Sequence, residues 1–543
     1  MTGIARADFA ERHPLRGERY WSRTSPDGPW DAIVVGSGMG GLTTAAILSE
    51  LGQRVLVLEQ HYLPGGFTHA FSHAGYVWDV GVHAIGEVTR HTSSGRLLER
   101  LTHGSLEWAS LGSVYEEFHF PDGLRIDFPD SPEAFRANLL AAFPAEARAI
   151  DGYLRAVRRA AKAVRSHYLA KTLPSGLRWF VEATLGRRAR PWLDRTVDEV
   201  LGQLTDDARL RAVLTAQWGY YGTPPREAAF AIQALITRHF LHGGYYPVGG
   251  AQEIARCLTR TVAQAGGWTR IAADVDEVLI TRGRATGVRL ADGEELEAKR
   301  VALATGVGTA VRGLLPEPHR SAAWAREVRA IGPGPAHVCL YLGFKGDPRT
   351  AGASGANKWF YGTWNPEESL WQVEPGVAAP PAPVLYTSFP SLKDPSHDPG
   401  PENRHTGEVV TFVPWSAFET WSGSRWNRRG ADYDRFKAAL KERLLEQILV
   451  HLPGLEPLVD CAELSTPLST EFFCRPLRGS IYGLEATPRR FRCRPLGPRS
   501  PIPGLYFSAS DVASGGVMGA FAGGMLAAIA MEPRRTLGLL RAS

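Results

Sequence analysis

Cysteine is scarce and unpatterned in this chain: five in 543 residues, at 257, 339, 461, 474 and 493, with no CxxC pair. An odd, scattered set excludes a disulfide framework and a thiolate metal site. The first 29 residues hold no apolar core of the signal-peptide kind, so the expected setting is reducing and cytoplasmic. A GxSxG elbow, a Walker loop and a metal-ligating cluster are all missing, which removes the common hydrolase and nucleoside-triphosphatase readings. Long apolar runs are lacking too. One uncharged stretch of spanning length, 512–530, contains five glycines (515, 516, 519, 523 and 524) and few large aliphatics. It reads as a glycine-rich turn into a buried helix, not as a membrane span. Net charge is only +5, and no nucleic-acid-binding module accompanies it. What remains, 44% hydrophobic and 22% charged residues, is an ordinary globular composition, long enough for two closely packed domains.

The richest stretch is 31–59, DAIVVGSGMGGLTTAAILSELGQRVLVLE. A β-rich run leads into Gly36-x-Gly38-x-x-Gly41, then a helix-like segment, then a second strand that ends at Glu59. Gly36 permits the tight turn, Gly38 lets a pyrophosphate approach the backbone, and Gly41 lets helix pack on strand. Phosphates then lie at a helix N-terminus, where free N–H groups and the dipole favour negative charge. Glu59 follows Gly36 by 23 residues, close to the roughly 20 expected for an acid on a ribose hydroxyl. An acid there favours FAD or NAD over NADP.

Charge is unevenly placed along the chain. Residues 151–196 carry eleven Lys/Arg against three Asp/Glu, a local +8 that leaves the remainder at −3. Leu154, Val157, Ala161, Val164 and Tyr168 recur there at helical steps, with Arg155, Arg158, Lys162 and Arg165 on other faces. Leu173, Leu177, Trp179, Phe180 and Val181 follow. Two readings fit: the apolar stripe packs on its own domain, or a basic amphipathic segment makes peripheral contact with an anionic membrane.

After Glu59 come Pro64-Gly65-Gly66 and Gly75-Tyr76-x-x-Asp79-x-Gly81-x-His83. This continuation resembles that of glutathione-reductase-like flavoproteins with an amine-oxidase-like arrangement. The segments EQHYLPGGFTHAF (59–71), YVWDVGVHAIG (76–86), GGYYPVGGAQEIA (243–255), STPLSTEFF (465–473), GSIYGLEATPRRF (479–491) and PIPGLYFSASDV (501–512) narrow the likeness. With them the chain resembles the phytoene desaturase and carotenoid isomerase family, and within it the retinol saturases, from near residue 30 to near 530.

The resemblance implies an α/β fold: a Rossmann-type, glutathione-reductase-like FAD-binding domain beside a discontinuous, mixed α+β substrate domain. The FAD domain is expected from 30–100, 243–315 and 498–533, behind an N-terminal extension 1–29. The substrate domain is expected from 101–242 and 316–497. FAD is the implied cofactor. Its pyrophosphate would lie on Gly36, Gly38, Gly40 and Gly41, and its ribose on Glu59 beside Gln60. Gly65, Gly66, Phe67 and His83 would pass the ribityl chain and the flavin. Val275 would meet adenine at the start of a β-meander read over 271–304 (VDEVLI, GVRL, VALATG), which ends at Thr305 and Gly306 beside the cofactor. Asp511 matches the acid that binds ribityl or pyrophosphate. Gly516, Val517 and Gly519 would bring a helix N-terminus to the flavin ring. The aromatic residues Trp359, Phe360, Tyr361, Trp364, Trp415, Trp421 and Trp426 are expected either to line an apolar cavity or to be ordinary core.

The implied activity is saturation or desaturation of a carbon–carbon bond in a long apolar polyene, retinoid- or carotenoid-like, through flavin N5. Saturation needs a hydride on one carbon and a proton on the other. His83 is the first candidate donor, followed by Tyr245, Tyr246 and Glu471, with Tyr220 and Tyr221 also within the set. No second GxGxxG exists, so electrons are expected from, or to, an external partner: a protein, a quinone or a transient nicotinamide. Two alternatives keep the flavin: a polyene cis-trans isomerase and a reductive cyclase. A third, a non-catalytic prenyl-lipid carrier of the GDP-dissociation-inhibitor type, is opposed by the intact glycine loop, Glu59 and Asp511.

Overall fold

The computed structural model describes residues 19–542. Its first layer is a six-stranded parallel sheet. In spatial order the strands are Trp21–Ser22, Trp268–Arg270, Val55–Leu58, Ala32–Val35, Val301–Leu303 and Leu505–Phe507. The runs AIVV, VLVL and VAL are buried at every position, as strands covered on both faces must be. The edge strand Trp21–Ser22 comes from the segment read as an N-terminal extension, and it joins the sheet by pairing with Trp268–Arg270.

Helix Met39–Glu50 covers one face of this sheet, against helices Gln252–Gln264 and Val517–Met531. Its close approach depends on a missing side chain: a Cβ on Gly40 would lie 2.0 Å from the Ser508 carbonyl oxygen. The uncharged run 512–530 forms the buried Val517–Met531 helix. Among the described residues, no helix is long and apolar enough to cross a membrane.

The meander departs from the sequence reading at its third strand. Val275–Thr281, Arg284–Leu290 and Glu295–Glu297 form the antiparallel set, whereas Val301–Leu303 enters the parallel sheet. Burial explains the exchange. Glu295–Glu297 leaves both glutamates in solvent and suits an edge, while the fully buried Val301–Leu303 suits a sheet centre.

A second, seven-stranded sheet has the order Val459–Ser465, Ala336–Lys345, Arg404–Val413, Val384–Ser388, Asn357–Tyr361, Val114–His119 and Arg125–Pro129. One face is apolar. Val338, Leu340, Leu342 and Phe344 pack under helix Ala431–His451, whose Tyr433, Phe436, Leu440, Leu444 and Ile448 recur at steps of three and four. The pleat turns the alternate residues to the opposite face. There Tyr341 pairs with Glu408, Cys339 with Val410 and His337 with Phe412. Ser388 also pairs with Glu408 and Tyr386 with Val410. Trp359 pairs with Tyr386, and Asn357 with Glu116. This second face closes the cavity described below.

Helix Ala147–Ala170 packs against helix Phe230–Phe240 and buries Val157, Ala161 and Val164. Leu154 and Tyr168 are half-buried. The apolar stripe of the basic segment therefore packs on its own domain. Beyond it, helix Ser175–Thr184 holds Leu177 and Phe180 at 54% and 59% exposure, and Leu169 is also exposed. The Trp179 side chain lies outside the described residues.

Candidate active site

A single cavity runs from the glycine loop of the first sheet to the polar face of the second. At its first end, Gly36 has φ +98 and rests against Ala304, which makes the turn out of strand Ala32–Val35 a position for glycine. A Cβ on Gly41 would lie 2.0 Å from the Gly36 carbonyl oxygen, whereas a Cβ on Gly38 would meet nothing within 4 Å. Gly41 thus serves packing, and Gly38 faces open space. Helix Met39–Glu50 starts there with no side-chain cap, and helix Val517–Met531 starts uncapped at Gly516, also open. Both N-termini border the cavity and leave N–H groups for an anionic or electron-rich ligand.

Polar groups along this end are arranged for a dinucleotide. Glu59 is fixed by Ser37, whose N–H and hydroxyl donate to Oε2 at 2.9 and 2.6 Å, and by the His61 N–H, which donates to Oε1 at 2.8 Å. Both lone pairs of Oε2 are thereby taken, and Oε1 keeps one for a ribose hydroxyl. Thr305 Oγ1 is buried without a partner on the cavity wall, a donor left for a ligand. Gln60, Gly65, Gly66, Phe67, Val275, Gly306 and Val517 line the same wall. These features fit FAD.

Two expected cofactor contacts have other employment. Asp511 borders the cavity, but its Oδ2 accepts the N–H groups of Val307 (2.7 Å) and Gly308 (3.3 Å), and its Oδ1 that of Leu484 (2.9 Å). It ties two cavity loops together. Gly519 does not line the cavity; a Cβ there would lie 2.1 Å from the Ser514 carbonyl oxygen, so its role is close packing.

At the second end the wall is aromatic, formed by Tyr220, Trp359, Tyr386, Phe412 and Tyr482. Behind it lies a group of buried ionisable side chains. His83 Nδ1 is 2.9 Å from Glu408 Oε2, with Glu408 fully buried and His83 retaining 14% of its side-chain surface. Lys393 Nζ donates to the His83 carbonyl at 2.7 Å, to Ser388 Oγ at 2.6 Å and to Asn357 Oδ1. Glu116 accepts from Tyr220, from Gln217 Nε2 at 2.8 Å and from Trp359 Nε1 at 3.2 Å.

Burial dominates the proton affinities of this group. It pulls His83 down to about 3, with help from the Lys393 charge, so the imidazole is neutral. Glu408 is pushed up to about 8 against the pull of Lys393, and Glu116 to about 7 against its hydrogen bonds. Lys393 itself is drawn down to about 7, opposed by Glu408. Perturbation of this size beside a cavity makes the group a candidate functional site.

The other expected donors stand apart from the cavity. Tyr246 is fully buried and bonds Asp79. Tyr245 lies on a strand paired with Trp108–Ser110. Glu471 sits on helix Pro467–Cys474. None of the three lines the cavity, although Tyr220 does. Of the aromatic set only Trp359 lines it; Trp364 stacks on Phe120, Trp421 on Phe436 and Trp426 on Phe472. Sequence reasoning passed over Glu408, Lys393 and Glu116. A signal existed, since TGEVVTFV and VYEEFH each set a carboxylate inside a strand-like apolar run.

The sequence profile described as "Flavin containing amine oxidoreductase" matches residues 39–531. The chain is similar to human all-trans-retinol 13,14-reductase, 31% identical over 523 residues covering 93% of this chain and 86% of that protein. It is also similar to chloroplastic prolycopene isomerase of Daucus carota, 25% identical over 491 residues, 87% and 72% of the two chains. Its fold is similar to that of putrescine oxidase bound to putrescine, with TM-score 0.60, 17% identity and coverage of 94% and 100%. The protein thus belongs to the flavin-containing amine oxidoreductases, as an FAD-dependent, retinol-saturase-like enzyme.

Proposed function

We propose that this enzyme saturates a carbon–carbon double bond of a long apolar polyene, retinoid- or carotenoid-like, in the cavity between its two layers. The observation that carries the reading is His83, a neutral imidazole set between the glycine-rich end and the aromatic end. The loop Gly36–Gly41 would hold the pyrophosphate, Glu59 the ribose, Val275 the adenine, and the N-terminus of helix Val517–Met531 the flavin ring. When bound and reduced, FAD would supply a hydride at N5. The chain itself has to orient the polyene, exclude water and deliver a proton. Trp359, Tyr386 and Phe412 form an apolar wall that a conjugated chain can lie along. His83 Nε2 is the proton donor, because Nδ1 is turned to Glu408. The reductase and isomerase relatives support a polyene as substrate.

Electrons come from an external donor, since the chain carries one dinucleotide fingerprint. Leu169, Leu177 and Phe180, exposed within the basic segment, form a peripheral contact with anionic lipid, from which an apolar substrate is drawn. The test is product mass after anaerobic incubation of dithionite-reduced enzyme with all-trans-retinol and a carotenoid panel. A gain of two hydrogens is expected. Unchanged mass with altered retention would make it an isomerase, and no turnover of any polyene would refute the substrate class.

A further inference from the structure

A neutral imidazole is a poor acid. Losing its one N–H proton would leave an imidazolide, inaccessible to a buried side chain near neutral pH. His83 nevertheless occupies the position from which a proton must come. The resolution lies on its other nitrogen. Nδ1 is 2.9 Å from Glu408 Oε2, and apart from the Asp79 backbone N–H nearby the two Glu408 oxygens receive no hydrogen bond. A carboxylate so placed would be buried with most of its lone pairs unmet, whereas a carboxylic acid has a proton to give and the His83 Nδ1 atom beside it.

We infer that Glu408 is held as a carboxylic acid and lends its proton to His83 Nδ1 as His83 Nε2 gives its own to the substrate. The inference rests on the proposed saturation. One alkene carbon would take its hydride from the reduced flavin, to which dithionite supplies the two electrons. The other carbon takes the proton from Nε2, Nδ1 takes the proton of Glu408, and a carboxylate remains. Water entering after product release protonates Nε2, and the Nδ1 proton returns to Glu408. His83 stays neutral throughout. Because Glu408 acts through His83, it is a positioning residue that sets the acidity of the pair.

The surroundings of Glu408 suit this exchange. From the short helix Pro390–Lys393, Lys393 spends its three N–H groups on the His83 carbonyl, Ser388 and Asn357, and its charge offsets the transient carboxylate. From strand Tyr76–Asp79 comes the Asp79 carboxyl, itself raised to about 7 by burial and by Glu408. The phenols of Tyr246, Tyr341 and Tyr386 and the Cys339 thiol face it from the remaining elements and are held well above their ordinary values by burial. They stay neutral over the range in which Glu408, raised to about 8, titrates.

The ring tautomer reads this directly. In protein labelled with 15N-histidine, holding FAD but no polyene, His83 should be the Nε2–H tautomer below about pH 8 and the Nδ1–H tautomer above it. A His83→Asn sample assigns the resonance. Glu408→Gln should lose the switch, because an amide donates at every pH. With reduced enzyme and retinol, Glu408→Gln should keep its flavin spectrum and KM, lose about 100-fold in kcat, and lose the wild-type fall in rate above about pH 8. An Nδ1–H tautomer at all pH values, or a Glu408→Gln enzyme with the wild-type pH profile, would overturn the inference. The tautomer needs no substrate, so a wrong substrate class leaves that result standing and is seen separately as absent turnover.

Discussion

The two ends of the cavity are built on opposite principles. The glycine end works by the absence of side chains: an open position at Gly38, a strained turn at Gly36 and two uncapped helix N-termini present backbone to a ligand. The sheet end works by side chains withheld from water, with Glu408, Lys393 and Glu116 buried behind aromatic rings and His83 reaching the cavity beside Tyr386. The first end binds and the second adjusts proton affinity. Backbone recognition tolerates little change in shape, while the buried group depends on which of its members hold protons.

Substitutions can break the contrast at either end. The largest effect is expected from Gly41→Ala, whose Cβ would lie 2.0 Å from the Gly36 oxygen. Overpacking of this kind costs about 1–3 kcal/mol or more, so flavin absorbance and Tm should both fall. Gly38→Ala is the control: its Cβ meets no protein atom, so the Tm of the FAD-free protein should hold while FAD affinity drops about tenfold or more. Equal losses of Tm in the two variants would show that Gly38 is structural as well.

His83→Gln comes next. It keeps a polar group against Glu408 but cannot pass a proton between two ring nitrogens. Saturation should slow by about 100-fold or more with the flavin still bound, as single-turnover absorbance would measure.

How far each end could be read in advance follows from the same contrast. The glycine end is local: strand, turn, helix, strand and acid all lie within 31–59, and the spacing names the ligand class. The sheet end exists only through register. Glu408, Ser388 and Lys393 meet because strand Arg404–Val413 pairs with Val384–Ser388, and no local spacing announces that pairing. His83 was legible because it lies in a flavin-proximal segment, but its partner was not. Tyr246, the fourth residue of its own motif, turns away to Asp79. The third meander strand was misplaced because burial, not turn position, decides which run joins the parallel sheet.

A smaller effect concerns stability. Glu408 holds its proton in the folded protein up to about pH 8, but only to about 4.3 when unfolded. Between those values the folded state binds the extra proton, so this group makes stability fall as pH rises. Gln does not titrate. The Tm of Glu408→Gln relative to wild type should therefore climb from about pH 5 to about pH 8, and a constant offset would contradict the raised affinity.

The smallest effect lies outside both ends. Leu177→Asp with Phe180→Asp removes exposed apolar surface from the basic segment. Sedimentation with phosphatidylserine-containing vesicles should weaken, while Tm and flavin content stay unchanged. Undiminished sedimentation would remove this segment from membrane contact.

The central claim, that a proton passes through His83 onto carbon in the same turnover as a hydride, is tested most directly in heavy water. Enzyme reduced with dithionite and mixed with all-trans-retinol in 2H2O should yield dihydro product carrying solvent deuterium at the protonated carbon, and His83→Gln should yield about 100-fold less of it per unit time. Product of unchanged mass, or dihydro product formed equally fast by His83→Gln, would contradict the account.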